Sequence, residues 1–140
     1  MKSLVIDNSV VMAWYFEDEA SSYTEAVLES LGKYECIVPS VWPLEVANTL
    51  IVSERRGRST EARAARFISL LGSLPIHVDV QTSRHALSET LQLAREHKLS
   101  SYDASYLELA MREGAPIATQ DKALRRAALK CGVRIFKGLN

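Results

Sequence analysis

Four carboxylates flank or open apolar runs: Asp7 ends "SLVID", Glu45 sits in "PLEVANTL", Asp103 in "SYDASYLELA" and Asp121 in "ATQDKAL". Oxygen donors without cysteine or histidine suit a hard divalent ion, magnesium or manganese. Cys36 and Cys131 are isolated, and His77, His85 and His97 are scattered, so no zinc pattern competes. Each acid also has an ordinary use. Asp7 can begin an Asx turn, Asp121 can cap the helix after it, and Asp103 can complete a capping box with Ser100. Glu45 can join Asn48, Thr49 and Ser53 in a solvated helix stripe. The choice depends on whether the fold brings the four together.

The elements that must position them alternate. Apolar runs at 3–7, 35–39, 75–80, 115–119 and 133–137 read as strands. Helical patterns fill "SVVMAWYF", "SSYTEAVLESLG" closing on Gly32, 41–57 with Pro43 in its first turn, 59–74, 83–98, 100–114 and 121–132. In helix 59–74 the apolar spacing is Ala65, Ile68 and Leu71. Strands that are apolar throughout, separated by helices, ask for a parallel sheet covered on both faces. The expected fold is therefore α/β: one three-layer α/β/α domain over 1–140, with a central parallel sheet of four to five strands.

In such a sheet functional groups collect beyond the carboxyl ends of the strands. Asp7 ends the first strand, and Asp121 lies two residues past Thr119, which ends the fourth. The helix before a strand runs antiparallel to it, which brings Asp103, near the start of helix 100–114, to the same edge. Glu45, in the first turns of its helix, is also near it. Two like charges about 5 Å apart repel by about 3 kcal/mol at an effective dielectric near 20. A cluster of them persists only when a cation or proton offsets that cost.

The chain has 140 residues, 47% hydrophobic and 24% charged, which fits one globular domain. Its 17 basic and 17 acidic side chains cancel. Their distribution is uneven: no acid follows Asp121, whereas Lys122, Arg125, Arg126, Lys130, Arg134 and Lys137 do. Lys122, Arg126 and Lys130 repeat every four residues as one helical stripe with Arg125 beside it, a candidate seat for a polyanion backbone. Arg55, Arg56 and Arg58 offer a second basic group. With no signal peptide and no apolar run of membrane length, a cytoplasmic protein is expected.

"VIDNSVVMAWYFEDE", "PLEVANTL", "LSSYDASYLELA" and "ATQDKAL" together resemble the PIN-domain ribonucleases, and within them the stand-alone VapC toxins of bacterial toxin–antitoxin pairs. The likeness spans nearly the whole chain. By position Asp7, Glu45, Asp103 and Asp121 match that family's acidic quartet, Ser9 and Thr119 its small hydroxyl positions, and Asn48 its polar neighbour on the Glu helix. The resemblance implies a Mg2+-dependent endoribonuclease, with Mn2+ able to substitute, leaving 5′-phosphate and 3′-hydroxyl ends. Asp7 and Asp103 are then the expected metal ligands, with Glu45 and Asp121 completing or orienting the coordination. An RNA substrate, a cognate antitoxin and a homodimer are the implied partners, and surface near Trp14, Tyr15, Phe16 and Trp42 is the expected partner site. Two other readings use the same residues. A phosphoryl-receiver module would use Asp7, Asp79, Thr119 and Lys137, but it has single helices between strands and leaves three acids unexplained. An inactive PIN-like binding module has no need of a complete quartet.

Overall fold

The computed structural model describes residues 2–139, one short of the sequence at each end. Four strands form one parallel sheet in the order β3-β2-β1-β4: β1 is Lys2–Ile6, β2 Tyr34–Val38, β3 Ile76–Val78 and β4 Ile117–Ala118. Leu4, Val5 and Ile6 of the central β1 are completely buried, as a strand covered on both faces requires. β1 pairs on one side with β2 (Leu4 opposite Cys36) and on the other with β4 (Val5 opposite Ile117). The chain therefore leaves β1 in one direction and returns on its other side as β4. That reversal opens a crevice at the carboxyl ends of β1 and β4.

Helices fill each crossover: α1 (Asn8–Ala13) and α2 (Ser22–Ser30), then α3 (Trp42–Arg55) and α4 (Glu61–Ser73). Next come α5 (Thr82–His85), a π-helical turn Ala86–Thr90, α6 (Leu91–His97) and α7 (Ser101–Glu113), with α8 (Lys122–Lys130) after β4. α7 buries seven consecutive residues, Ala104–Ala110, and so lies inside the domain. It ends at Gly114, whose left-handed backbone (φ 62°) suits glycine.

Several expectations need correction. No fifth strand forms at 133–137. β4 is two residues long, and only Ile135 bridges to it, held by Ile117 N–H to Arg134 O (2.9 Å) and Phe136 N–H to Ile117 O (2.8 Å). The helix expected over 83–98 is interrupted by the π-helical turn, which leaves Leu87 88% exposed. α4 buries Ala64, Phe67 and Leu71 rather than a stripe through Ala65 and Ile68: an aromatic ring one position away from Ile68 wins the core. α2 stops at Ser30, not Gly32. β3 is an edge strand with His77 and Val78 exposed, so cover on both faces ends there.

Candidate active site

The crevice between β1 and β4 is closed by Asp7 N–H donating to Ala118 O (2.9 Å). Asp7 is buried where β1 passes into α1, and its carboxylate makes no cap bond to that helix. Instead Oδ2 accepts from Ser9 Oγ (2.8 Å) and from Thr119 Oγ1 (2.9 Å). Among the described residues no side chain donates to Oδ1, while the Ser9 backbone also favours the charged carboxylate. Thr119 is fully buried at the end of β4, and its Oγ1 also accepts from Asp121 N–H (3.1 Å). The two expected hydroxyl positions thus tie the ends of β1 and β4 to one carboxylate.

Asp121 keeps its ordinary use. Its Oδ1 caps α8 by accepting from Leu124 N–H (2.8 Å), while its charge still reaches Asp7 and Asp103. At α7 the cap is Ser100, whose Oγ accepts from Asp103 N–H (3.0 Å), and the Asp103 carboxylate lies half-buried in the first turn. Glu45 is half-buried in the first turn of α3. Tyr106 Oη donates to its Oε1 (2.6 Å) from one turn further along α7 than Asp103. Asn48 is exposed one turn past Glu45, with no described side-chain hydrogen bond, so nothing ties it to the acids.

The electrostatics join the four acids. Burial raises the pKa of Asp7 against the hydrogen bonds from Ser9 and Thr119, and the charge of Asp121 raises it further. Burial likewise raises Glu45, opposed by the Tyr106 hydrogen bond and reinforced by Asp7 and Asp103. Asp103 is raised by burial and then by Asp7 and Asp121, against a hydrogen bond from Ser100. A cation at this edge would relieve every one of these repulsions. Yet among the described residues no three His, Cys, Asp or Glu side chains converge closely enough to hold an ion by themselves. An ion that keeps several waters, as magnesium does, would need only one or two of these carboxylates. Asp7, whose Oδ1 no side chain engages, and Asp103 are the acids suited to direct contact.

The basic residues divide. Lys122, Arg126 and Lys130 form an exposed row on α8. Arg125 is half-buried, with Nε donating to Thr119 O (2.6 Å) and its guanidinium 5.2 Å from the Tyr23 ring, so it braces β4. Arg58 pairs with Asp18 (3.2 Å) and lies over Phe16 (4.3 Å), which commits it to the turn after α1. Arg55 and Arg56 are exposed.

Tyr106 is the site residue that reading the sequence missed. It stood inside the quoted motif, and its i+3 spacing from Asp103 was the available signal. The receiver arrangement fails on geometry. Asp79 is held bidentately by Arg112 (2.7 and 3.1 Å) and by Thr82 Oγ1 (2.8 Å), and Arg112 holds its carboxyl below the usual range. Lys137 lies beside Lys2, at the opposite edge of the sheet from Asp7.

Residues 4–130 match the PIN domain family. The chain belongs to the PIN domain family. Among curated relatives it is similar to Ribonuclease VapC3 of Pyrobaculum aerophilum, 29% identical over 121 residues, covering 86% of this chain and 91% of that protein. Its fold is shared with PAE2754 of the same organism (TM-score 0.67, 22% identity, 99% of this chain and 88% of that one). VapBC2 of Rickettsia felis, solved with a DNA fragment from its promoter, is also similar (TM-score 0.66, 11% identity, 96% and 97% covered). So is FitAcB of Neisseria gonorrhoeae (TM-score 0.62, 14% identity, 95% and 96% covered). The three-layer parallel architecture of this PIN domain is therefore the one its sequence called for.

Proposed function

We propose that this PIN domain is a VapC-type toxin, an endoribonuclease that hydrolyses RNA phosphodiester bonds with magnesium, or manganese in its place. The observation that carries the reading is the placement of four carboxylates at one edge of the sheet: Asp7 after β1, Asp121 after β4, and Glu45 and Asp103 in the first turns of α3 and α7. The kinship to Ribonuclease VapC3 supports RNA as the substrate class. Activation of a water and neutralisation of phosphate charge are the chemistry magnesium supplies when bound. Asp7 and Asp103 would hold the ion. Thr119 and Ser9 fix the Asp7 carboxylate so that Oδ1 faces its task with little reorganisation. Tyr106 pins Glu45 through Oε1 and leaves Oε2 to orient a water. Asp121 adds negative charge from the α8 cap, and the exposed row Lys122, Arg126 and Lys130 seats the RNA backbone beside it.

A cognate antitoxin and a second copy of the chain are the proposed protein partners, and the likeness to VapBC2 supports the antitoxin. The aromatic residues near the expected partner surface are themselves largely inside: Tyr15, Phe16 and Trp42 are buried, and the half-buried Trp14 donates to Thr24 O (2.8 Å). Exposed apolar side chains lie on α3, from Leu44 two residues past Trp42, and on α4, with Leu44 72%, Ile51 41% and Ile68 55% exposed. Among the described residues no helix is long and apolar enough to cross a membrane.

Induced expression tests the proposal. The parent chain should arrest growth, co-expression of its antitoxin should relieve the arrest, and RNA fragments should carry 5′-phosphates. Asp7→Asn, which removes a charge at nearly constant volume, should be soluble and harmless. Arrest by Asp7→Asn equal to that of the parent would remove Asp7 from the mechanism.

A further inference from the structure

A cavity of about 1070 Å3 lies at the opposite edge of the sheet from the acids. It is lined where the strands begin, by Lys2 of β1, Tyr34 of β2 and Pro116 just before β4, and by Arg125 of α8 and the segment 134–138. Four of its lining side chains are cationic, Lys2, Arg125, Arg134 and Lys137, against one acid, Glu113. Among the described residues Lys2, Arg134 and Lys137 enter no ion pair. The aromatic wall is already built. Tyr23 Oη donates to Phe136 O (2.7 Å), and the half-buried Tyr34 packs edge-on against Phe136 at 5.1 Å. Arg125 is fixed between Tyr23 and Thr119 O, so one residue joins this wall to the strand end beside Asp7.

We propose that this cavity is a second RNA-binding site, which takes the backbone and a base of the substrate strand away from the point of cleavage. The inference rests on RNA being the substrate. Four clustered cations against a single acid call for a polyanion, and aromatic rings beside them suit the alternating phosphate and base of a single strand better than a bare anion. The path also exists. The exposed row Lys122, Arg126 and Lys130 leads along α8 from Asp121 toward the cavity. Asp121 to Leu129 spans about 12 Å at the helical rise, the length of about four stacked nucleotides. A strand long enough to use both sites must therefore exceed that length.

Fluorescence anisotropy in EDTA tests this without cleavage, using labelled single-stranded RNAs of about four and about twelve nucleotides. Parent and Arg134→Ala/Lys137→Ala proteins are compared across a salt series, with melting curves to confirm folding. Losing two single-strand phosphate contacts should weaken the longer RNA about tenfold and make its log–log salt slope shallower by about 1.4. Equal affinity and slope for parent and variant would overturn the site. Displacement of the longer RNA by tripolyphosphate or polyglutamate as effective as by unlabelled RNA would overturn its assignment to RNA. Cavity-dependent binding of an RNA that magnesium never causes to be cut would support this site while contradicting the nuclease reading.

Discussion

Asp103→Asn separates a helix cap from a metal ligand. The cap of α7 belongs to Ser100, which accepts from the backbone of residue 103; the Ser100 hydroxyl also favours the Asp103 carboxylate, and an asparagine amide oxygen can accept in its place. What changes is charge. In the folded protein ionised Asp103 is disfavoured by burial and by Asp7 and Asp121. Taking about 8 Å and an effective dielectric of about 40 for a half-buried, water-contacting pair, each neighbour costs about 1 kcal/mol. Relief of both should stabilise the metal-free protein by about 1–2 kcal/mol, or about 3–8 °C in Tm for a domain of this size. Magnesium should then add less to Tm than it adds to the parent, because the variant has lost a ligand charge. RNA cleavage should fall by about 100-fold or more, the equivalent of roughly 3 kcal/mol of transition-state stabilisation. Melting with and without magnesium and cleavage of one RNA are measured on the same preparation. A variant less stable than the parent in EDTA, or one that still cleaves, would refute the reasoning and return Asp103 to an ordinary helix position.

Further outcomes follow from the same geometry. The metal-free parent should lose stability as pH rises from about 4 toward neutrality. The raised pKa values of Asp7, Glu45 and Asp103 mean that the folded state binds more protons there than the unfolded one, and millimolar magnesium should flatten the profile measured by thermal melting. Tyr106→Phe removes the hydroxyl on Glu45, so it should cost about 1–2 kcal/mol in denaturant unfolding and slow cleavage about tenfold. Arg112→Ala should cost about 1.5–3 kcal/mol, because it removes the charged partner of the buried Glu108 and of Asp79, which keeps only its bond from Thr82. Cleavage per folded molecule should survive that change; its loss would give this network a part in the chemistry.

The positions of Asp7, Glu45, Asp103 and Asp121 were legible in the sequence because strand ends and helix starts place residues by topology alone. Asp7 after an apolar run and Asp121 before a basic helix need only the direction of the chain. Tyr106 was hidden by its ordinary fate, since a tyrosine inside "YLELA" reads as core, and it is fully buried. Its hydroxyl contact depends on α3 and α7 meeting, which no local pattern states. The face of α4 went wrong because Ile68 and Phe67 both fit an apolar stripe, and tertiary packing chose the ring. "VRIFK" has strand chemistry but only a two-residue edge to pair with, so it contributes one bridge. The π-helical turn at Ala86–Thr90 has no composition signal comparable to proline or glycine. The basic stripe divided for a similar reason: Arg125 is drawn into Tyr23 and Thr119, a contact between segments far apart in the chain.

The central claim is that the acidic crevice works through a divalent ion held by Asp7. The rate of RNA cleavage by purified protein, followed as magnesium is titrated from EDTA to millimolar levels, tests it most directly. The parent should be inactive in EDTA and rise to a saturating rate, while Asp7→Asn stays flat throughout. Cleavage in EDTA at the saturated rate, or a magnesium response in Asp7→Asn equal to the parent's, would contradict the claim.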